Sequence, residues 1–121
     1  MNWIAIAAVN LALAVALGAF GAHGIKSIAS PEQMAWWLTG TQYFFYHALG
    51  LLLVGILIKM GYTTSNTAWL LQIGLIIFSG SLFAMTLGAP RWLGAITPIG
   101  GTLMIIGWVW LAVTAFRYSA S

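Results

Sequence analysis

The sequence predicts an all-α fold, an integral membrane four-helix bundle with short loops, and three observations carry that prediction. Of 121 residues 62% are hydrophobic and only 4% are charged, against about 25% charged in an ordinary soluble domain. Five charged side chains cannot cover the surface of a soluble protein of this length. A helix needs about 20 apolar residues to cross roughly 30 Å of hydrocarbon. Residues 3–22, 41–59, 68–87 and 98–116 meet that need, and apart from Lys59 at the end of the second none holds an Asp, Glu, Lys or Arg. The connections MGYTTSNT and GAPRWLGAIT are short, so the chain reads as a single transmembrane domain over residues 1–121.

The first span is Ala-rich and ends in GAFGAHG, residues 18–24. Ala19-Phe20-Gly21 resembles a signal-peptide cleavage site. However, no Lys or Arg precedes the run, which exceeds the roughly 7 to 15 residues of a signal core. It is expected to remain as helix 1. Helices in lipid pair where small residues let backbones approach. Ala14, Gly18 and Ala22 form one such stripe and Ala8, Ala12 and Ala16 a second, so both are predicted contact seams. His23 closes the span.

The longest connection, GIKSIASPEQMAWWLTG, contains a helix start at Ser30-Pro31-Glu32-Gln33. Ser30 can cap, Pro31 suits the first helical position, and Gln33 completes a capping box. Residues 31–39 read either as a short interfacial helix, ending at Gly40, or as an extension of helix 2 beyond the bilayer. Paired Trp36 and Trp37 suit the headgroup zone.

The second span opens TQYFFYHALGL. His47 lies about two turns inside, roughly 9 to 10 Å below the interface, with Tyr43 one turn above it on the same face and Gln42 beside it. The third span carries Ser79, Ser81 and Thr86 in its later half, with Gly80, Ala84 and Gly88 as another small-residue stripe. Thr97-Pro98 begins the fourth span as cap and first residue, followed by Gly100 and Gly101. Trp3, Tyr62, Trp69 and Tyr118 are placed at one interface and Trp36, Trp37 and Trp92 at the other. Trp108 and Trp110 fit neither belt and are expected to face a neighbouring helix or chain.

Hairpin topology brings these polar residues to one half of the membrane. A polar side chain facing lipid costs free energy. His23, Gln42, Tyr43, His47, Ser79, Ser81 and Thr97 are therefore expected to form one inward pocket, with Arg91 at its rim and Gly100 and Gly101 in its wall. The other half offers mainly Asn10 and Gln72. His47 is expected to be neutral, because burial disfavours the charged ring and no carboxylate is expected on its helix.

GAFGAHG after the first span, TQYFFYHALGL in the second, FSGSLFAMTLG in the third, and ITPIGG with GWVWL in the fourth resemble the family catalogued as domain of unknown function 423. That family in turn resembles the eukaryotic transmembrane protein 256. The resemblance covers nearly the whole chain and implies a four-helix membrane protein. It implies no activity, substrate or cofactor.

Function classes narrow accordingly. The net charge of +3 comes from scattered cations without a basic stripe, so nucleic acid is not an expected partner. The absence of Cys removes disulfides and thiolate chemistry. Glu32 lies outside the spans, so carboxylate dyads and Ser-His-Asp triads cannot form within them, and no enzyme is expected. Two histidines fall short of a zinc site, and neither metal nor cofactor is predicted. The leading expectation is an accessory or structural component of a membrane assembly, as a homo-oligomer or as a subunit of a larger complex. The alternative is an oligomeric transporter, channel or lipid-, anion- or quinone-binding protein using the pocket around His47. Lys59 and Arg117 on the side of the termini against Lys26 and Arg91 opposite make a near tie under the positive-inside rule. The expected location is the inner cell membrane, with both termini cytoplasmic.

Overall fold

The computed structural model describes residues 1–120, apart from the side chains of Ala22, Ser119 and Ala120. Its elements are α1 (Trp3–His23), a 3-10 turn (Ile25–Ser27), α2 (Pro31–Lys59), α3 (Ser65–Thr86), a second 3-10 turn (Arg91–Ala95) and α4 (Thr97–Ala120). Each long helix is apolar and long enough to cross a membrane.

Local chemistry sets the helix ends. The Asn2 side chain accepts from Ala5 N at 3.0 Å and caps α1. At α2, Ser30 Oγ accepts from Gln33 N at 3.1 Å while Gln33 Oε1 accepts from Ser30 N at 2.9 Å. The capping box read from the sequence is thus complete, with Pro31 at the first position. Gly61 (φ +85°) turns the chain from α2 into α3, and Gly88 (φ +108°) ends α3. Both occupy the left-handed region that glycine enters without steric cost.

Of the two readings of residues 31–39, the continuous helix is the observed one. No separate interfacial helix forms, because nothing after Pro31 breaks the helix. Gly40, the candidate stop, lies inside α2 and is buried. Its missing Cβ leaves room for the Phe83 ring, whose Cε1 would stand 2.7 Å from such an atom. At about 1.5 Å per residue α2 is roughly 43 Å long, so its first turns extend past α1.

Neighbours in sequence are the principal neighbours in space: α1 packs on α2, α2 on α3, and α3 on α4. The core runs along α2 and α3 through Leu51, Val54, Ala68, Leu71 and Leu75, with Ala7 of α1 and Met104 of α4 closing its sides. The outer helices α1 and α4 turn most of their surface to lipid.

Of the stripes expected, Ala14 is buried in the core, but the helices do not meet at the glycines. Gly18 and Gly80 are exposed, and an added Cβ at either would meet nothing within 4 Å. Ala8, Ala12 and Ala16 are also exposed, Gly88 lies in a turn, and the side chain of Ala22 is outside the described residues. Small-residue spacing marks a face that permits close approach, and lipid accepts that face as readily as a helix does. The close contacts lie at other glycines. A Cβ at Gly21 would collide with the Trp37 indole. One at Gly50 would lie 2.6 Å from Trp108 Cη2, and one at Gly74 would lie 2.7 Å from the Gly100 carbonyl oxygen.

Two of the tryptophans assigned to the belts turn inward. Trp3 is 4% exposed and edge-on to Trp69 of the same expected belt at 4.9 Å, and its ring nitrogen has no hydrogen-bond partner among the described residues. Trp37 is 2% exposed and donates to the Leu17 carbonyl at 3.2 Å. Indoles drawn to the interface by their N–H are held here by packing, because glycine or another ring leaves them a seat.

Candidate functional site

His47 sits on the face of α2 turned toward α4. Its Nδ1 lies 2.9 Å from the Tyr43 carbonyl one turn earlier, and its Nε2 lies 3.0 Å from Trp108 Nε1. A carbonyl only accepts and an indole N–H only donates. The ring is therefore the neutral tautomer with its proton on Nδ1, donating to Tyr43 and accepting from Trp108. The neutral His47 expected from the sequence is the form this geometry requires. Gly50, one turn further along α2, provides the flat seat for the Trp108 ring. The Tyr43 ring stacks near His47 at 6.1 Å and contacts Phe78 of α3 at 4.8 Å.

A second set of ties runs along α3. Ser79 is fully buried and donates to the Gly40 carbonyl at 2.8 Å, joining α3 to α2. The hydroxyls of Ser81 and Thr97 meet at 2.5 Å and join α3 to the start of α4. Thr86 donates to the Gln33 carbonyl at 3.1 Å and to Leu82 at 2.9 Å. Thr97 is the first residue of α4, and its hydroxyl also reaches the Leu93 carbonyl at 3.4 Å. It ties α3 to the turn before α4 where the sequence suggested a simple cap.

The predicted pocket thus resolves into separate interhelical bonds. His47, Ser79, Ser81 and Thr97 are drawn inward, each on its own partner. Tyr43 keeps its ring beside His47 but is 42% exposed. Gly100 receives the Phe78 backbone and the Gly74 carbonyl, so α3 fills the space a ligand would need. Gly101 faces the Phe78 ring at 3.7 Å. Gln42 and His23 point outward and are exposed. Arg91 is exposed too, paired with Glu32 Oε2 at 2.9 Å and lying 5.6 Å from the centre of the Trp36 ring. Hairpin topology sets depth along the bundle but leaves rotation about each helix axis free, and rotation separates these residues.

At the opposite end Asn10 donates to Gln72 at 2.6 Å, tying α1 to α3. Thr63 bonds Thr67 at 2.8 Å and accepts from Thr114 at 2.7 Å, a cluster joining the α2–α3 turn to α4. The sequence signalled the first pair as two lone polar residues in apolar spans. It gave no sign of the threonine cluster, since threonine is common at helix ends. Trp108 was signalled by its misfit to either aromatic belt.

Hydroxyls bonded to carbonyls or to one another, and an imidazole held by an indole, form a set of register pins. Among the described residues no three His, Asp or Glu side chains gather as a metal site.

Residues 17–101 match the profile of a family described as a protein of unknown function, DUF423. The chain is 44% identical over 120 residues to a UPF0382 membrane protein of Staphylococcus epidermidis, covering 97% of each sequence. It is 44% identical over 119 residues to the UPF0382 membrane protein YwdK of Bacillus subtilis, covering 96% of this chain and 97% of that one. A UPF0382 membrane protein of Staphylococcus aureus is 42% identical over 120 residues, with 97% of each covered. No solved structure matches at a significant level.

Proposed function

The chain belongs to the DUF423 family of membrane proteins of unknown function, and on that premise we propose that it is a non-enzymatic accessory component of a larger membrane assembly. One observation carries this reading: the inward-facing polar groups of α2, α3 and α4 are spent on one another or on backbone carbonyls. Ser79 holds Gly40, Ser81 holds Thr97, and Trp108 holds His47. A site for a travelling solute needs polar groups that exchange partners, whereas a scaffold needs them fixed. In lipid, where apolar faces give helices little reason to choose one rotation over another, such bonds specify the packing. The rigid core then supports two outer helices whose lipid-facing surfaces are free to meet other proteins.

We place the protein in a bacterial inner membrane with both termini cytoplasmic. Supporting this, Lys59, Arg117 and the terminal amine lie on the side of the termini, against Lys26 and Arg91 opposite. Extraction in mild detergent followed by native mass measurement tests the accessory reading. It expects an unrelated membrane protein at fixed stoichiometry. A closed ring of several copies with solute flux in liposomes would favour the transport reading instead.

A further inference from the structure

We propose that the outer groove between α3 and α4, with Arg117 at its end, seats one anionic phospholipid, its acyl chain in the groove and its phosphate at the guanidinium. The groove holds about 430 Å³ and is walled by Trp69 and Ile73 of α3 and by Ile106 and Trp110 of α4, with Asn66 at the end nearer the α2–α3 turn. Those four wall side chains are each 42 to 45% exposed, so they shape the groove without closing it. Beyond it a recess of about 280 Å³ opens between the α2–α3 turn and the last turns of α4, lined by Tyr62, Thr64, Thr114 and Arg117 among others. Thr114 lies one turn past Trp110, and Arg117 two turns past it on the face that carries Ile106 and Trp110. The recess therefore continues the groove. Arg117 is the first residue past the fourth apolar span (98–116), so the recess belongs at the headgroups and the groove in the hydrocarbon beside them. From Leu103, the far end of the lining, to Arg117 is about 21 Å along α4. One leaflet with its headgroups has that thickness, half of roughly 40 to 45 Å.

Charge selects the occupant. Arg117 is exposed, and its guanidinium bonds nothing among the described residues. Arg91, at the other end of the bundle, has Glu32 at 2.9 Å. Glu32 is the only Asp or Glu in the chain, so the end that bears Arg117 and Lys59 has no acidic side chain to neutralise it. A phosphodiester brings a fixed negative charge and several acceptor oxygens, which a guanidinium fork can hold through two parallel bonds. Thr114 already spends its hydroxyl on Thr63 at 2.7 Å. The Thr64 hydroxyl and the Asn66 amide are exposed and bond no described residue, so both remain as donors between the phosphate and the groove. A free anion would leave the groove empty, and a hydrocarbon chain alone would leave Arg117 unpaired. A zwitterionic headgroup carries a cation that this end of the bundle repels. An anionic phospholipid satisfies groove and guanidinium with one molecule. Lipid capture here goes beyond the accessory role and does not depend on it.

Native mass measurement tests this on the chain in mild detergent, stripped of lipid and then titrated with phosphatidylglycerol or with phosphatidylcholine of the same acyl chains. One phosphatidylglycerol per chain is expected to stay bound at concentrations where phosphatidylcholine is lost. Arg117→Gln should weaken retention roughly fivefold, the weight of one basic side chain beside anionic lipid. Arg117→Lys keeps the charge without the fork and should lose less. Lys59→Gln makes the same charge change outside the groove and should alter retention far less than Arg117→Gln. Ile106→Trp fills the groove from its open side and should also lower retention. Ile73→Trp does so from the opposite wall and serves if Ile106→Trp melts early. Glycerol phosphate, which has the phosphate without the chains, should not displace the lipid. The inference is overturned if the two lipids bind alike, if Arg117→Gln and Lys59→Gln lose equally, or if the folded groove-filling variants keep the lipid. Displacement by glycerol phosphate would mark a free-phosphate site, and a lipid-free species of two chains would make a second copy the occupant; either result also overturns it. The accessory reading rests on co-extraction of an unrelated protein and is untouched by these outcomes.

Discussion

The α3–α4 and α1–α2 seams both use glycine, but against different neighbours. At the first, backbone meets backbone: a Cβ on Gly100 would lie 2.6 Å from the Gly74 carbonyl oxygen and would also strike the Phe78 amide. At the second, Gly21 lies under the Trp37 indole, which also donates to Leu17. At Gly18, less than one turn away on the same helix, an added Cβ would meet nothing within 4 Å. Three glycines thus leave room for a main chain, for a ring, and for no neighbour in the bundle. Their tolerance to substitution should follow that order, since a main chain yields least, a side chain can rotate, and lipid flows.

The largest effect is expected at Gly100. Gly100→Ala forces a methyl into the α3 backbone and should cost about 3 kcal/mol or more, at the upper end for overpacking. Measured as loss of folded protein on detergent extraction, an outcome near wild type would remove the backbone contact. Gly21→Leu should cost about 2 kcal/mol by displacing Trp37, read as a fall in melting temperature. Ser79→Ala, which leaves both glycine seams intact and removes only the bond to Gly40, should cost about 1 kcal/mol. Gly18→Leu should leave the melting of the monomer within about 0.5 kcal/mol of wild type. Equal losses at Gly18 and Gly21 would erase the distinction between a ring-bearing and a lipid-facing glycine.

Composition and span length made the four helices legible, and Ser30 with Gln33 gave the start of α2 as it is observed. Rotation about the helix axes was not legible. In a soluble protein the polar face of a helix identifies the buried one, but here the solvent is as apolar as the core. Leu51, 1% exposed, and Leu53, 61% exposed, are chemically alike. That ambiguity misassigned Gly18 and Gly80 and gathered Gln42 and His23 into a pocket they do not enter. Polar residues were better guides than small ones. His47, Ser79, Ser81 and Thr97 turn inward as the cost of polarity in lipid requires, and Trp108 faces α2 because its N–H needs an acceptor. Their separate partners depend on side-chain reach, which spacing alone does not specify.

The central claim is that these polar groups pin helices to one another, with His47 and Trp108 as the tie between α2 and α4. A double-mutant cycle tests it most directly, comparing His47→Ala, Trp108→Phe and the double variant by reversible unfolding in detergent. Trp108→Phe keeps a ring on Gly50 and removes the N–H. The account predicts a coupling of about 0.6 to 1.7 kcal/mol, the range found for interhelical hydrogen bonds in membranes. Strictly additive losses would contradict it and show that His47 and Trp108 do not support each other in the folded bundle.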